Sequence, residues 1–308
     1  MKLLVIGLGV QGRKRAAIAR EDVVATVDPV VPEATHRHIE GVPLDVFDAA
    51  CVCTPDQIKF DLVRYLLRHG KHVLVEKPLI AHDLDQLHGV ARLAQTTGAA
   101  CYTAYNHRFE PHIARLKTLL ETETIGPAYL ARCLYGNGTA AEVNRSPWRD
   151  QGSGVLADLG SHLLDLSLFL FGASDRRFEL WSANRFENQA FDHVLFGSRG
   201  GPALELEGSL ISWRNTFTLD VYGPRGSAHI HGLCKWGPSL LTIRQRVLPS
   251  GRPTEEVSQV ACADPTWALE YDHFKRLCRT GGTNLANDLW IASALNELTG
   301  AVNQEAVP

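Results

Sequence analysis

Five short apolar runs without polar alternation punctuate the first third of the chain, at residues 2–6, 23–27, 49–53, 73–75 and 100–104. Stretches of helical spacing lie between them at 13–19, at 60–68, where Leu62, Leu66 and Leu67 share a side, and at 84–96. Apolar runs separated by amphipathic helices predict a parallel sheet covered on both faces. The pattern changes after Pro111. A helix is expected over 113–121, a strand over 128–135 and a strongly apolar helix over 156–171, closed by Gly172. From 178 to 243 the runs alternate, as in "LELEGSLISW", "FTLDVYG" and "SAHIHGL", with turn signals such as Gly223-Pro224-Arg225-Gly226 between them. Alternation of that kind predicts antiparallel strands. Helices over 267–278 and 288–302 follow.

A chain of 308 residues is expected to form two domains, and the change of pattern places them at 1–112 and 113–308. The net charge of −3 gives no footprint for nucleic acid and no polybasic patch for a membrane. The opening "MKLLVIGLGV" is apolar, but it lacks a basic stretch and a cleavage site and is broken by glycines, so it does not read as a secretory signal. No run approaches the length of a membrane span. Seven cysteines, an odd number without a CxxC, read as reduced thiols in a cytoplasm.

The first strand runs into GLGVQG, with Gly7, Gly9 and Gly12 opening a helix. Gly7 permits the tight turn, Gly9 lets the backbone approach a pyrophosphate and Gly12 lets the helix pack closely. Val10 and Gln11 form the first helical turn, whose N-terminus favours phosphate charge. Asp28 ends the second strand about 20 residues on, where the dinucleotide fingerprint places an acidic residue. A carboxylate there accepts from ribose hydroxyls and repels a 2′-phosphate, so NAD is expected over NADP. Pro29, where an NADP site would more comfortably carry Arg or Ser, agrees. Arg13, Lys14 and Arg15 either lend charge to the pyrophosphate or form a solvated helix face.

Further motifs resemble the glucose–fructose oxidoreductase/inositol dehydrogenase (Gfo/Idh/MocA) family. Glu76-Lys77-Pro78 after a strand is similar to its E-K-P hallmark, and "YNHRF" at 105–109 with Pro111 resembles its Y-N-R-R-F-x-P stretch. "GSGVLADLGSHLLD" at 152–165, preceded by Trp148-Arg149, resembles its G-G-x-x-x-D-x-G-x-H-x-x-D signature, and "VYGPRGSAHIHG" at 221–232 its late strand pair. The resemblance implies an α/β protein: an N-terminal Rossmann domain, then an α/β domain with a large open, mainly antiparallel sheet, pairing as a homodimer or homotetramer through that sheet. One departure stands out. Only 19 residues, 29–47, separate Asp28 from Asp48, with two early prolines and no helical stripe. The wall on the adenine side is expected to be trimmed.

The ends of parallel strands line the ligand crevice, so Lys77 is expected to project toward nicotinamide and substrate. The resemblance implies a cis Lys77-Pro78 bond and a lysine that stabilises alkoxide character during hydride transfer. Asp158 and His162, four apart on one helix, are expected to share a face. His162 is the expected general base, with Asp158 orienting it or binding a substrate hydroxyl. Asp165 could pair with His162 instead. Asn106 and Arg108 are expected to hold the nicotinamide amide or the substrate, and Thr54 and Pro55 to border the cofactor ribose. Glu76 either supports the site or forms a salt bridge, and Trp148 and Arg149 either touch substrate or pack between domains.

Other clusters read as structural. His229, His231 and Cys234 lack a fourth ligand for zinc, so no metal is expected. Cys51 and Cys53 read as small apolar residues in a buried strand, and His36 and His38 as solvated surface. Together these features predict an NAD-dependent oxidoreductase acting on a secondary alcohol of a sugar, nucleotide sugar or cyclitol. Two alternatives stand beside it: a non-catalytic NAD(H)-binding regulator on the same fold, and an enzyme whose NAD stays bound and is recycled.

Overall fold

A computed structural model describes residues 1–81 and 83–305, with side chains described to residue 300. The chain forms two compact units, Met1–Asn106 with Thr266–Ser293, and His107–Pro265 with Ala294–Pro308. The cut expected at 112/113 falls a few residues after the one between these units, and residues 266–293, expected with the second part, pack in the first unit.

In the first unit, β1 (Leu3–Ile6), β2 (Val23–Val27), β3 (Ala49–Val52), β4 (His72–Glu76) and β5 (Cys101–Ala104) form a five-stranded sheet in the order β2-β1-β3-β4-β5, every pair parallel. Helices α1 (Val10–Ala19), α2 (Asp56–Arg68) and α3 (Leu84–Thr97) make the crossovers. Strands β1, β3, β4 and β5 are buried on both faces because each face carries its own apolar layer. One gathers Leu4, Ile6, Val52, Val73 and Val75 with Val63, Leu67 and Leu87. The other gathers Leu3, Val5, Cys51, Leu74 and Tyr102 with Tyr271 and Phe274 of α7 (Thr266–Cys278). That second layer is why α7 belongs to this unit.

The two edges of the sheet are finished differently. Beyond β2, residues 29–47 hold two 3₁₀ turns and no α-helix or strand, as the short spacing predicts. A one-residue parallel bridge, Val27 to His36, stands where a further strand would lie. Beyond β5 the returning chain does a strand's work. Asn284 accepts the Thr103 N–H at 2.8 Å and donates to its carbonyl at 2.9 Å, and Thr103 Oγ1 donates to Asp288 at 2.8 Å. Helix α8 (Leu285–Glu305) starts from there.

In the second unit an eight-stranded sheet has the order β13-β12-β11-β10-β6-β9-β8-β7. Its strands are β6 (Leu130–Gly136), β7 (Glu179–Asn184), β8 (His193–Ser198), β9 (Ala203–Ser209), β10 (Thr216–Tyr222), β11 (Gly226–His231), β12 (Ser239–Val247) and β13 (Gly251–Val260). Every pair is antiparallel except β6–β9. Strands β6, β9 and β10 alternate buried and half-exposed residues, as one covered face requires. Helices α4 (Pro111–Glu121), α5 (Ala140–Asn144) and α6 (Ser161–Phe171) complete the unit. Strand β13 was not expected from the pattern. It is a polar edge strand containing Pro253, largely exposed on both faces, so no alternation marks it.

Candidate active site

The glycine loop is built for close approach. Gly7 has φ +88°, and a Cβ there would lie 2.6 Å from the Cys53 carbonyl oxygen. A Cβ on Gly12 would lie 1.7 Å from the Gly7 oxygen, so Gly12 keeps the first helical turn seated on the loop itself. A Cβ on Gly9 would meet nothing within 4 Å. Gly9 therefore leaves open space in front of α1, whose N-terminus no described side chain caps and whose Val10 and Gln11 are exposed. Thr54 adds a buried hydroxyl with no hydrogen-bond partner among the described residues, just before the exposed Pro55 that leads into α2. Uncapped N–H groups, an open cradle and an orphaned hydroxyl fit a dinucleotide's phosphates and ribose.

Asp28 closes this loop as well as facing it. Its Oδ2 accepts the Leu8 N–H at 2.8 Å, and its Oδ1 accepts those of Val30 and Val31, each at 2.9 Å. Burial alone would raise this carboxyl, but the three backbone donors and the charge of Arg13 hold it below its ordinary value. It is an anion at neutral pH with some acceptor capacity left.

The three basic residues of α1 divide in a way the sequence does not announce. Arg13 is exposed, 3.8 Å from Glu33, and Lys14 lies over the Trp267 ring at 3.8 Å. Arg15 is buried at 2% exposure, with Nε 2.6 Å from Glu76 and Nη2 2.7 Å from Glu270. Its Cζ lies 4.1 Å from the Trp267 ring centre. Glu76 is thus engaged in a salt bridge beneath the loop. The available signal was positional: Gly12, Arg15 and Ala19 form the buried stripe of α1.

Lys77 follows the end of β4, half-buried, with a cis bond to Pro78. A second lysine holds this turn from below. Lys59, 3% exposed in the first turn of α2, donates to the Lys77 carbonyl at 3.3 Å and the Pro78 carbonyl at 3.1 Å, and pairs with Asp56 at 2.7 Å. It sits on the apolar stripe with Val63 and Leu66, a misplaced charge that could have been noticed. Asn106 Nδ2 donates to Thr266 Oγ1 at 2.7 Å in the same unit. Cys51 behaves as expected: burial pushes its thiol up to about 12, so it is inert.

The second unit carries Arg108, Trp148, Arg149, Asp158 and His162. The helix expected over 156–171 is two pieces. Leu156–Gly160 is a π-turn containing Asp158, and α6 starts at Ser161. A π-turn carries an i→i+5 ladder, a local widening common at functional sites. His162, 6% exposed, stacks on His107 with ring centres 4.3 Å apart and 20° between planes. The edge of Tyr135 completes the stack at 5.6 Å from His162. Burial, with the Asp158 charge nearby, pushes the Tyr135 phenol well above its ordinary value. Lys235 Nζ contacts His107 Nε2 at 3.0 Å and Tyr135 OH at 3.5 Å. His107, Tyr135 and Lys235 were not singled out from the sequence. His107 alone had a signal, since it stands where the family pattern carries an arginine.

Asp165 partners Arg108 and not His162. Arg108 Nε donates to both carboxylate oxygens at 3.0 and 2.9 Å, and Nη2 donates to Oδ1 at 2.6 Å. Burial pushes the Asp165 carboxyl up against the pull of this guanidinium. The fork of Arg108 is therefore engaged in fixing α6. Trp148 is exposed and Arg149 half-buried on the loop before the π-turn. His229 pairs with Asp220 at 2.6 Å and Ser227 at 2.8 Å. No group of three potential metal ligands occurs among the described residues, and no described helix is long and apolar enough to cross a membrane.

Residues 1–105 match the family model described as "Oxidoreductase family, NAD-binding Rossmann fold", and residues 113–229 match the "GFO/IDH/MocA C-terminal domain". Among curated proteins, the uncharacterized oxidoreductase YdgJ of Escherichia coli is 28% identical over 73% of this chain and 66% of its own length. The inositol 2-dehydrogenase of Rhodococcus jostii is 27% identical over 56% of this chain and 50% of its own. The matches thus span about two thirds and half of the length of these two relatives. A solved inositol dehydrogenase homolog from Azotobacter vinelandii, complexed with NADH and myo-inositol, superimposes with a TM-score of 0.79 at 17% identity. It covers 99% of this chain and 96% of that one. A likeness at that identity concerns the fold.

Proposed function

The chain belongs to the Gfo/Idh/MocA oxidoreductase family, and from that premise we propose an NAD-dependent dehydrogenase that interconverts a secondary alcohol and a ketone on a sugar, nucleotide sugar or cyclitol. The observation that carries this reading is the glycine loop, open at Gly9, uncapped at α1 and closed by an ionised Asp28. Gly7, Gly9, Val10, Gln11, Gly12, Thr54 and Pro55 would hold the dinucleotide, and the Asp28 anion favours NAD over its 2′-phosphorylated form. Bound NAD supplies the hydride acceptor.

The chain's own groups handle the oxygen and its proton. The Lys77 ammonium donates a hydrogen bond to the reacting oxygen and stabilises alkoxide character. His162 accepts the alcohol proton, and its stacking on His107 fixes the plane of the imidazole. Asp158 binds a neighbouring hydroxyl or orients His162. Asn106 is the remaining polar group for amide or hydroxyl recognition. The abundance of polar groups suits a polyol, and the inositol 2-dehydrogenase relative supports that class. Self-association through the eight-stranded sheet is part of the same proposal.

The test is reduction of NAD⁺, followed at the nicotinamide absorbance, with myo-inositol, scyllo-inositol, levoglucosan and UDP-sugars. Lys77→Met should lower turnover by ~10²–10³, the usual cost of a lost oxyanion donor, while NADH still binds. Near wild-type turnover in that variant would remove Lys77 from the mechanism. NADH binding without turnover on any of these compounds favours the regulator, and nicotinamide absorbance in the purified protein indicates a retained cofactor.

A further inference from the structure

We propose that Lys59 is the positioning residue of Lys77: its buried ammonium fixes the backbone from which Lys77 reaches its substrate. The inference rests on the role given to Lys77 above. It starts from a cost. An ammonium at 3% exposure must recover its lost hydration through partners. Lys59 has three, the carbonyls of Lys77 and Pro78 and the Asp56 carboxylate, matching its three protons.

The two carbonyls are the informative ones. They are consecutive, and they belong to the residue proposed to act and to the proline behind it. On the N-terminal side, Lys77 is held by the β4 ladder, where Glu76 registers with Ala104. On the C-terminal side no such ladder follows among the described residues, because Pro78 has no N–H to offer and β4 has ended. The proline ring sets only its own φ. The ψ angles of Lys77 and Pro78, which aim their carbonyl oxygens, are left to the bonds those oxygens accept, and one charged donor bonds both. Bonds from a charged donor are about twice as strong as neutral ones. A rigid base of this kind has a purpose if Lys77 Nζ must meet one oxygen in one place, since a misplacement of about 1 Å can cost ~10² in rate.

A lysine that merely satisfied buried carbonyls would affect stability alone, so the test separates the two. The full-length Lys59→Met variant is crystallised with NADH and compared with wild type in the same crystal form. In parallel, kcat, KM and NADH affinity are measured with myo-inositol, scyllo-inositol and levoglucosan as probes. Lys59→Gln, shorter but still a donor, replaces the methionine variant if that one does not fold. The carbonyls of residues 77 and 78 should turn from their wild-type directions, and kcat should fall by roughly 10–10²-fold. KM and NADH affinity should stay within about threefold. In a Lys77→Met background the Lys59 change should lower Tm as much as it does alone but cost no further rate, the mark of action through Lys77. A superimposable 77–79 backbone, an unchanged kcat, or rate losses that add to those of Lys77→Met would each overturn the proposal. If Lys77→Met alone keeps full turnover, the reading of Lys77 fails. If none of the probes is a substrate, the crystallographic comparison still decides whether Lys59 holds the turn.

Discussion

Beneath the glycine loop of the first unit, buried charge is met by opposite charge at hydrogen-bond distance. Around His162 in the second unit, ring faces and edges pack against the imidazole. Arg15 sits between Glu76 and Glu270 at 2.6 and 2.7 Å, whereas His162 lies flat on His107 and edge-on to Tyr135. The difference is one of purpose. An ion-paired network in low dielectric is stiff and costly to break, because a survivor is left buried and uncompensated. A ring stack fixes an imidazole's plane through dispersion and leaves its proton chemistry to the nitrogens. Damage to the first region should therefore appear chiefly as lost fold, and damage to the second as lost turnover.

The largest effect is expected where the second region breaks. His162→Asn keeps a polar side chain that can bond a hydroxyl but cannot take its proton, and loss of a general base typically costs ~10²–10⁴. Turnover should collapse while KM and thermal stability change little. The limb of the pH–rate profile on which alcohol oxidation rises with pH should also flatten, since only a neutral imidazole can accept a proton. A persisting limb would assign the proton to another group, Lys77 first.

The first region breaks the other way. Arg15→Met leaves Glu76 and Glu270 buried without their cation, at a cost of roughly 3–5 kcal/mol. Urea denaturation should show that loss, and adding Glu270→Gln should return part of it by removing one stranded charge. Unchanged stability in Arg15→Met would mean that the network is not as tightly coupled as its distances say.

How much of each region could be read from the chain follows the same division. The glycine loop, the E-K-P turn and the 152–165 segment were legible because backbone constraints leave residue signatures: a positive φ at Gly7, a proline after Lys77. The trimmed 29–47 segment was legible from length alone. Partnerships between distant side chains were not. Nothing local says that Arg15 meets Glu270, 255 residues away, or that His107 stacks on His162. The π-turn at Leu156–Gly160 escaped because apolar spacing does not distinguish an i→i+4 from an i→i+5 ladder over one turn. Strand β13 escaped because an edge exposed on both faces has no reason to alternate.

A smaller effect sharpens the first region at its rim. Asp28 is both an anion facing the cofactor and a clip joining Leu8 to Val30 and Val31. Asp28→Ala should weaken NAD by on the order of tenfold, the worth of one charged hydrogen bond, and weaken NADP less because repulsion of the 2′-phosphate goes too. Asp28→Asn, which keeps one carbonyl oxygen, should retain more of the loop's stability than alanine while losing the same selectivity. Equal losses for both cofactors would restrict Asp28 to its role as a clip.

The smallest effect compares the units through two histidines outside either cluster. His72 Nδ1 accepts the Ala100 N–H at 2.9 Å, and His112 lies between Ser239 and Ser258 at 2.9 and 3.3 Å. Burial holds both below the ordinary histidine value against the pull of Asp48 on His72 and Glu110 on His112, with Lys71 and Arg115 adding to the burial. A folded value below the unfolded one means that the unfolded chain binds more protons. The corresponding stability is fully present above the unfolded value of ~6.5 and is lost as pH falls through that value toward the folded one. Urea midpoints should therefore drop between pH 8 and pH 5.5. His72→Asn puts a carbonyl oxygen near the place of Nδ1, so it can still accept from Ala100 without titrating. It should lower stability slightly at pH 8 and flatten the first unit's share of the slope, leaving the His112 share in place. A slope that His72→Asn leaves unchanged would mean that His72 takes no part in it and that the drop belongs to other groups.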